Sequence, residues 1–374
     1  MKISKSKTKM GSIDFIMFST IMLLVAIGVV MVYSASSYKA FFDKSTQDSM
    51  FYLKRQGLWA IIGTFFMFFT IKFDYKNIKK YTKLLMIISV ICLLAVFAFE
   101  STKGAQRWIR VGSIGFQPSE IAKYIVVLYM AKSIELKGGR KIETMLYGVI
   151  PYLLVSAFYA GLVFAEKNLS IAAVIMIVTM IVLYVSGARI IHMIGVVGLV
   201  AIGGIAGIIF EPYRMARFTS FLNPWADPKG NGYQLIQSLL AMGSGGIWGV
   251  GLGRSRQKCY YIPEPHNDFI FSIIGEELGF LGAFGVIFLF LIVIWRGIVI
   301  ALKVEDTFAC FLATGIVALI AIQSLVHIAV VTSSIPTTGI TLPFVSYGGT
   351  SLVINMAAIG ILLNISRHAN LERS

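Results

Sequence analysis

Apolar windows close to the roughly 20 residues that a helix needs to cross a bilayer recur ten times along this chain. They fall at about 13–33, 56–71, 84–99, 120–134, 145–164, 169–187, 190–210, 267–295, 308–333 and 345–366. Hydrocarbon offers backbone N–H and C=O groups no water, so windows of this length must close their hydrogen bonds internally as helices. The predicted fold is an all-α polytopic membrane protein with about ten transmembrane helices. Charged residues agree with it, at 14% of the chain against roughly 25% in soluble domains.

One interval breaks the rhythm. Residues 211–266 read as a large extracellular loop between spans 7 and 8, and loops beyond about 12–15 residues in compact proteins tend to be functional. The remaining division is a tail over 1–12, a single transmembrane domain over 13–366 and a second tail over 367–374. With ten spans, the lysines of 2–9, the basic loops 72–83 and 132–141, Arg189, Arg296, Lys303, Arg367 and Arg373 share one side. The positive-inside rule makes that side, and both termini, cytoplasmic. Scattered in this way, the net charge of +15 does not point to nucleic acid. The first apolar run exceeds the 7–15 residues of a signal-peptide core and reads as an uncleaved span. Cys92 and Cys310 lie inside spans and Cys259 in a loop, which gives no disulfide framework.

Ionisable residues inside apolar windows are costly and are functional candidates by default. The run from Tyr260 to Gly279 carries three acids, Asp268, Glu276 and Glu277. At about 1.5 Å and 100° per residue, Glu276 lies roughly 12 Å deeper than Asp268 and about 80° around the helix. They form no close dyad, and Asp268 is the first candidate for chemistry. Asn267 or Asp268 would start this helix, and a capping role would lower the carboxyl's pKa where a general base needs it raised. Glu120 and Lys123 share a face near the start of span 4, after Pro118 and a capping Ser119. They read either as a capped first turn or as a polar cavity pair.

Gly243–Gly253 followed by Arg254, Arg256 and Lys258 reads in two ways: a phosphate cradle of backbone N–H groups and cations, or turns beside a headgroup-attracting loop. Gln323 and His327, one turn apart, are expected to bond between helices rather than bind metal. Residues 333–351 carry no charge, and their prolines, glycines and hydroxyls predict a re-entrant or broken segment. Glu166–Ser170 reads as a polar turn, Asp14 as an interfacial charge, and the glycines of span 7 as packing sites. No zinc pattern or lysine-bearing P-loop is present.

The stretches Gly104–Ile109, Gln117–Lys123, Phe221–Pro228, Pro263–Phe271 and Leu342–Gly349 resemble the SEDS family of shape, elongation, division and sporulation proteins, represented by FtsW, RodA and SpoVE. The resemblance spans about 13–366. It implies a peptidoglycan glycosyltransferase that polymerises lipid II outside the bacterial cytoplasmic membrane, with a class B penicillin-binding protein and other divisome or elongasome proteins as partners. The residue matching Asp268 is the family's proposed general base, taking the proton of the acceptor's 4-hydroxyl as it displaces undecaprenyl pyrophosphate with inversion. Glu120 and Lys123 match its central cavity. Arg107, Arg217, Arg254 and Arg256 are candidate phosphate contacts, and Ser346 and Tyr347 complete the substrate-binding set. A divalent cation, Mg²⁺ or Mn²⁺, suits pyrophosphate chemistry, although the sequence names no ligands for it. Lys167-Asn168-Leu169-Ser170 stands where the family often has Pro-Asp-Leu-Gly, so no acid role passes to Asn168. The wording lies closer to FtsW and SpoVE, implying division or sporulation. A lipid II flippase and a non-catalytic scaffold are the alternatives; each would fit ten spans, but neither the repeats nor the two-sided polar access of a transporter is evident.

Overall fold

The computed structural model describes residues 11–44, 46–99, 106–112, 114–230, 232–259 and 261–369. Helices follow in the order α1 (Phe15–Phe42), α2 (Phe51–Lys72), α3 (Tyr75–Lys80) and α4 (Thr82–Ala95), the last extended by a 3-10 turn to Ala98. A small hairpin of β1 (Ile109–Val111) and β2 (Ile114–Phe116), antiparallel with Ile109 opposite Phe116, leads into α5 (Pro118–Lys137) and α6 (Gly139–Ile142). A π turn at Met145–Val149 opens α7 (Ile150–Ala165), followed by α8 (Leu169–Val185), α9 (Ile190–Ile209), α10 (Pro212–Leu222) and α11 (Tyr233–Gly245). The chain ends with α12 (Ile270–Lys303), α13 (Thr307–Val331) and α14 (Gly349–Ser366).

Each of the ten apolar windows lies on a helix: α1, α2, α4, α5, α7, α8, α9, α12, α13 or α14. Six helices among the described residues are long and apolar enough to cross a membrane by length and composition; α8 and the α4 unit are shorter apolar helices. The surface is that of a chain solvated by lipid. Along α2 only Gln56, Gly63, Met67 and Ile71 are buried, a single helical stripe, while Ile61, Phe65 and Phe69 are more than half exposed. Such an apolar surface would be an aggregation hazard in water. The stripe meets α14 closely: a Cβ on Gly360 would fall 2.4 Å from the Met67 carbonyl oxygen, the tight approach that small residues permit between membrane helices.

One end of the bundle is tied by ion pairs and caps. Asp14 is buried rather than interfacial. Its Oδ1 caps α1 at Met17 N (2.9 Å), and its Oδ2 accepts from Arg296 of α12 at 2.8 and 2.6 Å. Gly11 and Arg367 meet there through a 2.9 Å backbone bond, so the two ends of the described chain lie together. Tyr75 donates to Asp306, the N-cap of α13, at 2.9 Å.

The 211–266 segment contains two helices, α10 and α11, a correction to its reading as a loop. α11 packs on α12, with Ser238 bridging to Ser272 (2.8 Å) and to the Val331 carbonyl (2.8 Å). The start of α5 is also corrected. Gln117 is the N-cap and Pro118 occupies the first turn, so Ser119 lies two residues too far in to cap and instead accepts from Gln117 Nε2 at 3.1 Å.

Candidate functional site

The uncharged segment 337–351 forms the backbone of the site, because the candidate groups from six other parts of the chain reach it in turn. Arg217 of α10 donates to the Thr337 carbonyl at 3.0 Å, and Ser170 at the start of α8 donates to the Thr338 carbonyl at 2.7 Å. Asp268 lies beside Gly339, its Oδ2 being 3.7 Å from where a Cβ would stand. His327 Nδ1 pairs with the Ile340 carbonyl at 2.8 Å, which joins α13 to this segment. Gln56 of α2 reaches the Ser346 carbonyl at 3.3 Å. Glu120 accepts from Ser351 at 2.7 Å.

The approach to α12 is zipped to this segment. Ser346 Oγ donates to the Asn267 carbonyl (2.8 Å) and accepts from Leu342 N (2.9 Å), and Tyr347 N donates to the His266 carbonyl (2.9 Å). The rings of Tyr52, His266 and Tyr347 pack together at 4.4–5.6 Å between centroids. These bonds carry the chain past the expected helix start. The N-cap of α12 is Phe269, with no side-chain cap, rather than Asn267 or Asp268. Asn267 is drawn aside by Glu264 (2.7 Å), and Asp268, turned toward Gly339, is not the cap. Ser346, proposed as a substrate contact, has its hydroxyl committed to this latch. Tyr347 is half-buried within the ring cluster.

Glu120 and Lys123 form a buried ion pair at 2.8 Å. Its hydrogen bonds continue into α14: Ser351 to Glu120, Asn355 Nδ2 to Ser351 Oγ at 3.2 Å, and Tyr124 hydroxyl to Asn355 Oδ1 at 2.6 Å. The Lys123 ammonium lies 5.5 Å from the Tyr124 ring. Glu120 stands in the first turn of α5, and the pair is buried within this network.

Arg107, just before β1, donates through Nε to the Glu166 carbonyl at 3.4 Å and through Nη2 to that of Lys167. The α7–α8 turn is therefore not a solvated hairpin. Lys167 takes the left-handed conformation at φ 61°, Asn168 caps α8 by accepting from Ile171 N at 3.3 Å, and Glu166 is fully buried. Burial pushes the Glu166 carboxyl up to about 8, with Arg107 pulling it back. Nothing in the sequence marks this residue, since its burial arises from packing of distant segments around a turn whose neighbours are polar.

The glycine run 243–253 serves a different purpose from a free phosphate cradle. α12 breaks at Gly279, where φ is 68° and ψ is −167°. A broken helix in a membrane leaves backbone groups to be satisfied by protein, and the glycine run satisfies them. Val250 N and Gly251 N donate to the carbonyls of Glu276 and Glu277 at 3.0 Å each, while Phe280 N and Leu281 N donate to Gly246 and Ile247 at 2.8 and 3.2 Å. The two acids then hold the basic segment. Glu276 accepts from Arg256 N at 2.8 Å and from Ser255 Oγ, and Glu277 accepts from Lys258 Nζ at 2.8 Å and from Ser34. Lys258, buried in that pair, is structural. Arg254 and Arg256 remain exposed and line a cavity of about 570 Å³ with Leu240, Ser244, Val250, Gln257 and Glu276. Glu276 lies about two helical turns from Asp268, so these arginines belong to a second polar region, not the immediate surroundings of Asp268.

Among the described residues, no group of three or more His, Cys, Asp or Glu side chains can hold a metal ion.

Fold and site together define a multi-pass helical membrane protein with a buried polar centre at one end of the bundle. The chain belongs to the FtsW, RodA and SpoVE family, described as cell cycle proteins, which it matches over residues 14–371. It is 44% identical to stage V sporulation protein E of Bacillus subtilis, over 97% of this chain and 99% of that protein. It is 43% identical to a probable peptidoglycan glycosyltransferase FtsW of Geobacter sp., over 94% and 96% of the two chains. Its fold is similar to a chain from a peptidoglycan synthase complex studied for coordination of polymerization and crosslinking, with TM-score 0.79, 26% identity and coverage of 96% and 99%. The rod shape determining protein RodA of Thermus thermophilus shares the fold at TM-score 0.71 and 24% identity, covering 96% and 98%.

Proposed function

We propose that this chain is a peptidoglycan glycosyltransferase that polymerises lipid II at the outer face of the cytoplasmic membrane. The observation that carries the reading is the convergence of Asp268, Arg217 and the Glu120–Lys123 pair on the segment 337–351. One segment is thus touched by a carboxylate, a cation and a buried ion pair, the groups that a glycosyl transfer with a pyrophosphate leaving group calls on. Relatives named probable peptidoglycan glycosyltransferase FtsW support the same chemistry. Asp268 takes the proton of the acceptor's 4-hydroxyl, the freed oxygen bonds to the donor's C1, and the bond to undecaprenyl pyrophosphate breaks on the opposite face. Lys123 and Arg217 offset the charge left on the pyrophosphate. Arg107 holds the neighbouring turn and adds to this field, while Arg254 and Arg256 serve the second polar region.

A class B penicillin-binding protein is the partner that would crosslink the product, and both termini face the cytoplasm in this arrangement. The test is reconstitution of purified protein with lipid II, alone and with that partner. Glycan strands from wild type and none from Asp268→Asn support the reading; lipid II translocation without polymer would replace it with a flippase.

A further inference from the structure

Joining two lipid-linked sugars brings two pyrophosphates to one enzyme, and the transfer scheme accounts for the donor's. That group is bonded to C1, so it departs beside Asp268, within the field of Lys123 and Arg217. The acceptor's pyrophosphate stays attached at the far end of the disaccharide whose 4-hydroxyl attacks. Holding both substrates therefore calls for a second anion site, one disaccharide away from the base.

The region of Arg254 and Arg256 has the charge for it. Both side chains are exposed and line the cavity of about 570 Å³, and among the described residues neither forms an ion pair. Glu276, the acid in that lining, is buried and already occupied: it accepts from Ser255 Oγ and from the backbone N–H groups of Arg256 and Gln257 at 2.8 and 3.4 Å. Two cations thus face one saturated carboxylate. Gln257 also lines the cavity, and its Oε1 is buried with no hydrogen-bond partner, an acceptor left for a sugar hydroxyl or amide N–H. Beside it the glycine run carries Ile247, Trp248 and Leu252 more than half exposed, an apolar rim with an interfacial tryptophan that suits an anion carried on a lipid.

The spacing fits as well. Two helical turns separate Glu276 from Asp268, on the order of 11 Å, the scale of two pyranose rings in line. Gly245 packs on Gly275 while Ser238 bonds Ser272, so α11 leads back from the cavity toward the Asp268 end of α12. Half-buried Gln237 shares a helical face with Leu240 and Ser244 of the cavity lining, which gives a polar rung along that path.

We propose that the cavity at Arg254 and Arg256 is the acceptor's pyrophosphate site: it holds the diphosphate of a second lipid-linked disaccharide, whose sugars lie along α11 and present the 4-hydroxyl to Asp268. The inference rests on the transferase reading above.

The test uses the full chain with its crosslinking partner in nanodiscs of a zwitterionic phospholipid. Lipid II capped at its 4-hydroxyl can only donate; held saturating, it makes the rate against added acceptor a measure of the acceptor site. Two acceptors are compared, uncapped lipid II and the same disaccharide-peptide without pyrophosphate or lipid. In the Arg254→Gln, Arg256→Gln double variant, KM for lipid II as acceptor should rise at least about tenfold, the weight of one charge-assisted hydrogen bond. Because binding alone is lost, kcat, the donor KM and kcat/KM for the pyrophosphate-free acceptor should all stay within about twofold. An unchanged acceptor KM, an equal loss with both acceptors, or a rise in donor KM instead would overturn the inference alone. So would a double variant whose sole defect is a lost response to added phosphatidylglycerol, which would make the cavity a phospholipid headgroup site. No product from folded wild type with either acceptor would overturn the transferase reading with it.

Discussion

A carboxylate that is to accept a proton from a sugar hydroxyl must be held in place without being consumed by its own helix. The bonds of His266 and Asn267 to Tyr347 and Ser346 fix the backbone leading into Asp268, and Phe269 occupies the cap position of α12. Asp268→Asn should lower lipid II polymerisation by about 10²–10⁴-fold, the usual contribution of a general base, with little change in melting temperature. Activity near wild type in that variant would remove Asp268 from the mechanism. The Glu120–Lys123 pair makes a different demand. Lys123→Met strands a buried carboxylate and should cost about 3–5 kcal/mol. Adding Glu120→Gln should recover much of that stability but no activity, as read by thermal melting in detergent beside the polymerisation assay. Glu166 supplies a sign that can be checked. Its native state keeps a proton that the unfolded chain releases above the ordinary value of 4.5, so stability falls as pH rises from 4.5 and levels off beyond about 8. Melting temperatures of Glu166→Gln should lack this decline; an unchanged decline would assign it to other groups. Asp268, Glu120 and Lys123 were legible in the sequence because an ionisable residue in an apolar window is conspicuous. Glu166 was not, because only tertiary packing turns a polar turn residue into a buried one.

At the scale of elements, the long apolar windows specified their helices, since about 20 lipid-compatible residues leave the backbone little choice. α10 and α11 were illegible for the complementary reason: both are shorter than a span and lie among prolines, glycines and charges that read as loop. The break in α12 was hidden too, because Gly279 looks like any small residue in an apolar run. Its need for glycine is doubly determined. At φ 68° a side chain is strained, and a Cβ would fall 2.3 Å from Gly249 N and 2.5 Å from the Ile247 carbonyl oxygen. Gly246 shares the positive φ, at 55°, but has nothing within 4 Å of its Cβ position. Gly246→Ala should therefore cost only the backbone strain of a non-glycine residue at φ 55° and ψ −148°, about 1–3 kcal/mol. Gly279→Ala should separate the glycine run from the helix and abolish both the folded protein and its activity. Comparable melting temperatures for the two variants would show that the crossing is not what holds 246–258 in place.

The whole molecule is firm at its centre and loose along one side. α13 is deeply enclosed, with fifteen buried residues and with α5, α8 and α12 as its main neighbours. α9 is the opposite: 12% of its apolar window is buried, and its principal neighbours are α8 and α10. Cβ atoms on Gly195, Gly198, Gly203 and Gly204 would have nothing within 4 Å, so the packing expectation drawn from the glycines of this span is corrected at those four positions. A membrane helix without a hydrophobic drive toward its neighbours depends on close contact and hydrogen bonds to stay docked, and α9 has few of either. Its continuation does better, since Arg217 of α10 reaches the Thr337 carbonyl at the site itself. The expected behaviour is a helix that swings in the bilayer about its α10 end, which would leave a lateral path for a lipid chain between the membrane and the segment 337–351. Spin labels at the lipid-exposed positions Ile202 of α9 and Leu325 of α13 should give a broad distance distribution in nanodiscs. A second pair, Leu23 of α1 and Leu325, should give a narrow one, because α1 is pinned at Asp14 and Ser34. Equal widths for the two pairs would mean that α9 is held by contacts its sparse neighbours do not account for, and the lateral path would have to be sought elsewhere.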